Sequence, residues 1–250
     1  NLIDGAKLIL SATGTDGTNI SRSIPYTKNT KLNIGDSIDL ISIWETDPSY
    51  KFAGYIDSVS KELIIDSQGI FKTNLQLDND VTLTAVFYKT GFKKVDSFAN
   101  DKEYIIVSNN KSMSNNDLSG VSITNANDAF NNNYILNDND SLVWKYVNNS
   151  LVSGVNPNNY LKASYYLSGL RYYYFLDINS DNQSWTYENG GLYANYSYYL
   201  SSKDLYVYLD GVSNTFKCNN DSNNNGIEIY EKSDEIVVDY YQATTSEGGN

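Results

Sequence analysis

The chain has 250 residues, 18 Lys and Arg against 30 Asp and Glu, one Cys, no His and a formal net charge of −12. Such an acidic balance excludes nucleic acid as a partner, since that needs a basic footprint, and it opposes docking on anionic membranes by charge. Without His there is no Ser-His-Asp, Cys-His or His-bearing zinc chemistry, and a single Cys cannot build an internal disulfide scaffold. The 23 Tyr favour strands. The many Asn favour turns, because their side chains bond nearby backbone and tolerate left-handed conformations. Together they predict an all-β chain of short strands and Asn-rich turns. No apolar run reaches transmembrane length, so membrane insertion is not expected. With no signal peptide at Asn1 and a tail ending Thr244-Thr-Ser-Glu-Gly-Gly-Asn250, the chain reads as a piece of a longer protein, with 237–250 as a linker.

In chain order, Lys7–Leu10, Ser37–Trp44 and Glu62–Ile65 are predicted strands. Gly69–Leu77 alternates at period two, and so does Val81–Phe87, with Val81, Leu83, Ala85 and Phe87 on one face. The Asp78-Asn-Asp80 triplet between these last two runs signals a hairpin turn. Residues 90–97 read as a junction. Beyond it, Glu103–Val107 and Gly226–Tyr230 are the first and last strands of a second domain and could pair edge to edge. No stripe of helical period persists for ten residues; Asn125–Phe130 suffices for one helical turn at most.

Two elements of the first segment carry a resemblance. Pro48-Ser-Tyr50-Lys-Phe52-Ala-Gly54-Tyr55 looks like the aromatic-x-Phe-x-Gly-Trp element of the internalin-B-type repeat of bacterial surface proteins, with Tyr55 where Trp is usual. Asp80-Val-Thr-Leu-Thr-Ala-Val-Phe87 matches that repeat's closing strand. The resemblance covers about residues 6–89 and implies a small β-grasp-like spacer or adhesion module over 1–91. Phe52 and Tyr55 are expected to pack in a core.

Within the second segment a stretch occurs twice. Trp144-Lys-Tyr146-Val-Asn148-Asn-Ser-Leu151 returns 41 positions later as Trp185-Thr-Tyr187-Glu-Asn189-Gly-Gly-Leu192. A fixed period in that range marks a repeat architecture. A third unit reads as split, its head at Phe216-Lys-Cys218 through Ile227 and Ile229, the rest at 104–123. A split unit lets terminal strands pair and removes the sheet edges that invite aggregation. Gln183-Ser-Trp185 resembles the Gln-x-Trp element of ricin-type β-trefoils; Leu142 and Asn214 stand where Gln would be in the other copies, and Phe216 replaces Trp. The resemblance implies a β-trefoil over 92–236 whose Trp is buried and whose Gln bonds backbone. The Asp of the ricin-type sugar site is missing after both Leu161 and Leu200.

Catalysis by two carboxylates would need a flagged pair, and no motif supplies one, so the chain is not expected to be an enzyme. Ca²⁺ is the one cofactor to weigh. Asp221-Ser-Asn223-Asn-Asn225-Gly226 opens like a D-x-N-x-N-G loop, but its twelfth position is Lys232, with Glu231 one residue early. Asp177-Ile-Asn179-Ser-Asp181 is weaker. Both read as Asn-rich hairpin turns without metal. Cys218 reads as a small buried apolar residue.

Tyr clusters at 165–166, 172–174 and 196–199 place about half their rings outward, since strand neighbours face opposite ways. Outward Tyr serves either as a solvent-tolerant strand former or as a stacking face with a polar tip. With Leu170, Leu176 and Leu200 taken as core-facing, Tyr173 and Tyr199 point out and are the candidate ligand-binding residues. The expected function is non-catalytic adhesion or binding by a monomeric fragment of a secreted or cell-wall-attached, extracellular protein. The resemblances imply a Gram-positive bacterium, and a host or environmental glycan or a surface protein as partner. The alternatives are a structural spacer or stalk displaying other domains, and an accessory module of a large extracellular glycosidase.

Overall fold

The computed structural model describes residues 4–40 and 47–241. The chain divides into two compact units: 1–90 with 127–132 and 234–250, and 91–126 with 133–233. The first boundary falls one residue from the expected one. The C-terminal stretch differs from expectation, because Val237, Val238 and Tyr241 are buried. Thr15 donates its N–H to the Tyr241 carbonyl at 2.8 Å, and Tyr241 donates to Thr13 at 3.0 Å. Residues 237–241 are thus part of the first unit, not a linker; 242–250 lie outside the described residues.

The first unit holds β1 (Gly5–Thr13), β2 (Asn19–Thr27), β3 (Thr30–Leu32), β4 (Lys51–Ile56), β5 (Leu63–Asp66), β6 (Leu75–Leu77) and β7 (Val81–Val95) up to Thr90. β1 pairs antiparallel with β2 and parallel with β7; β7 pairs antiparallel with β4, and β4 with β5. β3 and β6 form a separate pair. Alternation drives this assembly: Ala6, Leu8, Leu10 and Ala12 are buried along β1, with Leu8 opposite Val81 and Leu10 opposite Leu83 of β7, while buried Ala85 and Phe87 lie opposite Tyr55 and Phe52 of β4. Pro25 is tolerated in β2 because, among the described residues, β2 pairs with β1 alone and is an edge. Tyr55 is buried and its ring lies 5.2 Å from that of Phe52, which is half-buried. Between them Gly54 sits at φ +132°, where an added Cβ would stand 2.3 Å from the Ile65 carbonyl oxygen. Only glycine fits that close approach.

Three stretches differ from expectation where they are described. Ser37 makes one bridge to Ile70, residues 38–40 are not strand, and 41–46 lie outside the described residues. Gly69–Leu77 breaks up, because Gly69 turns at φ +83° and only Leu75–Leu77 forms strand. Asn125–Phe130 is no helix: Asn125–Asn127 is extended, and Asp128 caps the bend that follows by accepting from the N–H groups of Phe130 and Asn132.

The second unit holds β8 (Lys102–Ser108), β9 (Lys111–Met113), β10 (Gly120–Ser122), β11 (Asn125–Asn127), β12 (Asn133–Ile135), β13 (Trp144–Val147), β14 (Ser150–Ser153), β15 (Tyr160–Ser168), β16 (Arg171–Asn179), β17 (Thr186–Glu188), β18 (Gly191–Tyr198), β19 (Ser201–Asp210), β20 (Thr215–Asn219) and β21 (Glu228–Val238) up to Ser233. One 3₁₀ turn, Asp140–Leu142, precedes β13. The chain is all-β, as its composition predicts.

The doubled sequence stretch becomes a doubled hairpin. Val147 pairs with Ser150 around Asn148-Asn149, and Glu188 with Gly191 around Asn189-Gly190. All four turn residues have positive φ, the geometry that matches the right-handed twist of the flanking strands. Each Trp is buried, and each indole N–H must find an acceptor there. Trp144 donates to the Met113 carbonyl at 3.0 Å and Trp185 to Leu161 at 2.9 Å. Gln183 accepts from the Ala163 N–H at 2.7 Å and donates to the Ala163 carbonyl at 2.9 Å.

Within the stretch 216–229, Ile227 repeats the backbone contacts of Trp185. Trp185 donates its backbone N–H to Asn149, and Ile227 donates to Gly190 in the same way. The Tyr146 hydroxyl donates to the Trp185 carbonyl at 3.0 Å, and Tyr187 donates to that of Ile227 at 2.7 Å. β21 then pairs with β8, with Ile229 opposite Ile106 where Tyr146 faces Leu151 and Tyr187 faces Leu192. The first and last strands of the unit thus pair as expected. Phe216 is a core residue outside this series, and Asn214, expected in the place of Gln, donates to the Gly120 carbonyl. Ladders join β21 to β8, β8 to β13, β13 to β14 and β17 to β18, while β17–β20 form a sheet of their own. The two Trp185 and Ile227 backbone bonds span the remaining gaps.

Trp185→Ala removes a fully buried indole and leaves the Leu161 carbonyl without its donor. It should cost about 3–5 kcal/mol, read as a fall in the urea or thermal midpoint; an unchanged midpoint would contradict this packing. Burial pushes the Tyr55 hydroxyl up to about 12. Burial, with a hydrogen bond to Glu228, does the same for Tyr230. Both exceed the ordinary value near 10. The folded state holds these protons more tightly than the unfolded chain, so their contribution is complete below about pH 10 and is lost as pH rises towards 12. Unfolding midpoints measured across that window should fall steadily, and a flat profile would refute the assignment.

Candidate functional site

β15 and β16 form a nine-residue antiparallel hairpin around Gly169-Leu170. Cross-strand pairing sorts its side chains. Ala163, Tyr165 and Leu167 share the inner face with Tyr172, Tyr174 and Leu176; Tyr166 lies opposite Tyr173, and Ser164 opposite Phe175, on the outer face. Tyr165 is buried, and Tyr174 and Leu176 pack on the core. On the outer face the Tyr166 ring stacks 5.1 Å from Tyr173 and 5.5 Å from Phe175, with interplanar angles of 15° and 10°. All three are exposed. The result is a flat aromatic strip.

β16 and β20 end their respective sheets. Between these two edges runs a groove of about 710 Å³, lined by residues 172–178 of β16, 215–219 around β20, Tyr208, and Asn116, Asp117 and Leu118. Tyr173 and Phe175 belong to both strip and groove. Tyr174 donates its hydroxyl to the Asn220 amide oxygen at 2.9 Å. Asp117 accepts from the Ser119 hydroxyl at 2.7 Å and from the Ser119 N–H at 3.0 Å, and these bonds hold its carboxyl below the ordinary range. A carboxyl held low is ionised at neutral pH and accepts hydrogen bonds; it is not poised as a general acid. Lys217 is tied to Asp210 at 2.6 Å. Cys218 is buried in the wall, and burial pushes its thiol up to about 12, so it behaves as a small apolar residue rather than a nucleophile.

The two candidate residues are not brought together. Tyr173 lines the groove. Tyr199 is 88% exposed at the tip of the β18–β19 hairpin, at φ 54°, and outside the groove. The core-facing assignment of Leu170 and Leu200 is overturned: both are fully exposed. Each is the second residue of a two-residue turn, Ser168 pairing with Arg171 and Tyr198 with Ser201, so strand alternation does not apply to it. Tyr172 shares the inner face, as expected, yet is exposed near the hairpin end. Sequence reasoning missed Tyr166 and Phe175. Placing the turn at 169–170 would have revealed them, since it sets Tyr166 opposite Tyr173.

Among the described residues, no group of three or more His, Cys, Asp or Glu could hold a metal ion. Asp221 turns its carboxylate onto the Asn223 N–H at 2.9 Å, while its carbonyl accepts from Asn224. Its own N–H donates to the Asn219 side chain. The carboxylate is thus engaged as a turn acceptor. Chelator treatment followed by added Ca²⁺ should leave the thermal midpoint unchanged; a midpoint that falls and recovers by mass action would assign Asp221, Asn223 and Asn225 to a calcium site.

Against protein-family models, curated proteins and solved structures, the chain shows no match.

Proposed function

We propose that this chain is a non-catalytic binding fragment of an extracellular, secreted or wall-attached bacterial surface protein, and that its β-trefoil-like second unit takes a glycan along the β16 groove. The observation that carries the reading is the Tyr166–Tyr173–Phe175 strip opening onto that groove. Sugars present C–H faces that stack on exposed rings, and hydroxyls that need donors and acceptors beside them. The groove supplies both: aromatic faces on β16, and Asn116, Asp117 and Asn219 around them. Tyr replaces rotamer-rich side chains with rigid rings, which lowers the ordering cost of binding. The low carboxyl of Asp117 supports capture of hydroxyls over glycosidic chemistry. The internalin-like first unit serves as the spacer that carries the binding unit.

A glycan array with the full chain tests the reading. Removing one stacking ring should cost about 1 kcal/mol or more, roughly a fivefold loss of affinity. Tyr173→Ala and Phe175→Ala should each show this with unchanged melting. Tyr199→Ala should bind as the parent does, being outside the groove. If no glycan binds, or if both groove variants bind unchanged, the spacer reading replaces this one.

A further inference from the structure

The two-residue turns of the second unit fall into two kinds. Asn109-Asn110, Asn148-Asn149 and Asn189-Gly190 use residues suited to positive φ. Gly169-Leu170 keeps a glycine at positive φ but exposes a leucine beside it, and Tyr199-Leu200 has neither Asn nor Gly. Leu170, Leu200 and Tyr199 are 100%, 106% and 88% exposed, and Tyr199 holds φ 54°, a conformation unusual for a bulky residue. Exposed leucine and a left-handed tyrosine oppose solubility and backbone preference alike, and such outliers point to function.

Both turns lie at one end of the unit. Tyr165 donates its hydroxyl to the Ser201 carbonyl at 3.0 Å, and the Lys203 ammonium stands 4.3 Å from the Tyr172 ring centre. The hairpins therefore run side by side to their tips. The segments forming this end, 164–175 and 196–203, contain nine aromatic residues, three leucines, Arg171 and Lys203. They contain none of the chain's 30 acidic residues. The end is thus layered: leucine at the tips, tyrosine behind, two cations beside it, on a chain that is otherwise acidic.

We propose that this end docks on the surface of a bilayer containing anionic lipid, with Leu170 and Leu200 reaching the acyl boundary and the tyrosines at headgroup level. Amphipathic rings favour that level, and apolar side chains seated there add affinity for each methylene buried. Arg171 and Lys203 face the lipid phosphates. Asp204 follows Lys203 directly and accepts from the Asn195 amide at 2.9 Å; those acids of the −12 chain that lie farther than a Debye length of about 8 Å are screened at physiological salt. Docking at the interface needs no spanning segment, and among the described residues no helix is long and apolar enough to cross a membrane. Tyr172–Phe175 line the groove as well, whereas Leu170 and Leu200 lie outside it, so the leucines are the residues that separate this proposal from the glycan reading.

The test is co-sedimentation of the full chain with phosphatidylcholine vesicles, with and without phosphatidylserine. The chain should pellet with the mixed vesicles and less with phosphatidylcholine alone. Leu170→Asp/Leu200→Asp, with unchanged melting, should reduce the bound fraction about tenfold or more while leaving groove-dependent glycan binding intact. In Leu170→Trp, indole emission should shift to the blue on adding mixed vesicles. Parent protein that stays in the supernatant, or a double variant that pellets equally well, overturns the proposal. Loss of glycan binding in the double variant would instead give the tips to a sugar ligand and overturn it as well.

Discussion

A buried indole cannot leave its N–H unpaired, and the second unit is organised around that requirement. Trp144 and Trp185 each reach a main-chain carbonyl of a strand many residues upstream, Met113 and Leu161. Inside a protein such a bond resists loss, because the unpaired group would cost about 1–3 kcal/mol. Trp185 also joins the two hairpins of the doubled stretch. The Trp185 backbone donates to Asn149 and its carbonyl receives the Tyr146 hydroxyl. One residue thus satisfies its side chain on β15, and its amide and its carbonyl on the β13–β14 hairpin. Ile227 keeps the two backbone bonds and gives up the indole, so its junction rests on less.

The repeat was legible where it carries an indole and hidden where it does not. Ile227 has no distinctive side chain, and Phe216, an aromatic before Lys217-Cys218, drew the assignment away from it. Val81–Phe87 was legible because alternation is unbroken there, but the strand's extension to Val95 crosses Gly91, which interrupts the pattern. β2 went unseen because neither face is buried; its nine residues alternate between exposed and half-buried, and Pro25 argues against a strand in the absence of edge information. At the site, Tyr173 was placed outward correctly from a wrong premise. Strand alternation does not reach Leu170, which turns the chain. Ser168-Gly169 is an ordinary turn signal, with Gly169 at φ 62°; the signal is absent only at Tyr199-Leu200, where neither central residue is Asn or Gly.

Charge distribution carries information that net charge conceals. Averaged over the chain, 30 acids and 18 bases describe a surface that repels anions. Resolved by element, the aromatic hairpins hold no acid at their tips, whereas Asp117 and Asp210 sit in side-chain bonds that lower their carboxyl groups. The acids are spent on turns: Asp57, Asp66, Asp117, Asp128 and Asp221 each accept backbone N–H groups of their own loop. An acidic composition here reflects how the turns are built as much as what the surface meets.

The division of the chain also bears on how it folds. The first unit contains the earliest strands and, through Ile236, Val237, Val238 and Tyr241, some of the last residues described. Ala129 donates its N–H to the Val237 carbonyl within that unit. During synthesis these partners emerge more than a hundred residues after β1 and β7. The second unit is meanwhile nearly complete, awaiting only β21 to pair with β8. A single strand, Glu228–Val238, therefore finishes both. Sequence separations of this length slow folding, because the entropy of closing the loop precedes any contact that rewards it. The first unit thus rests on contacts between the two ends of the described chain.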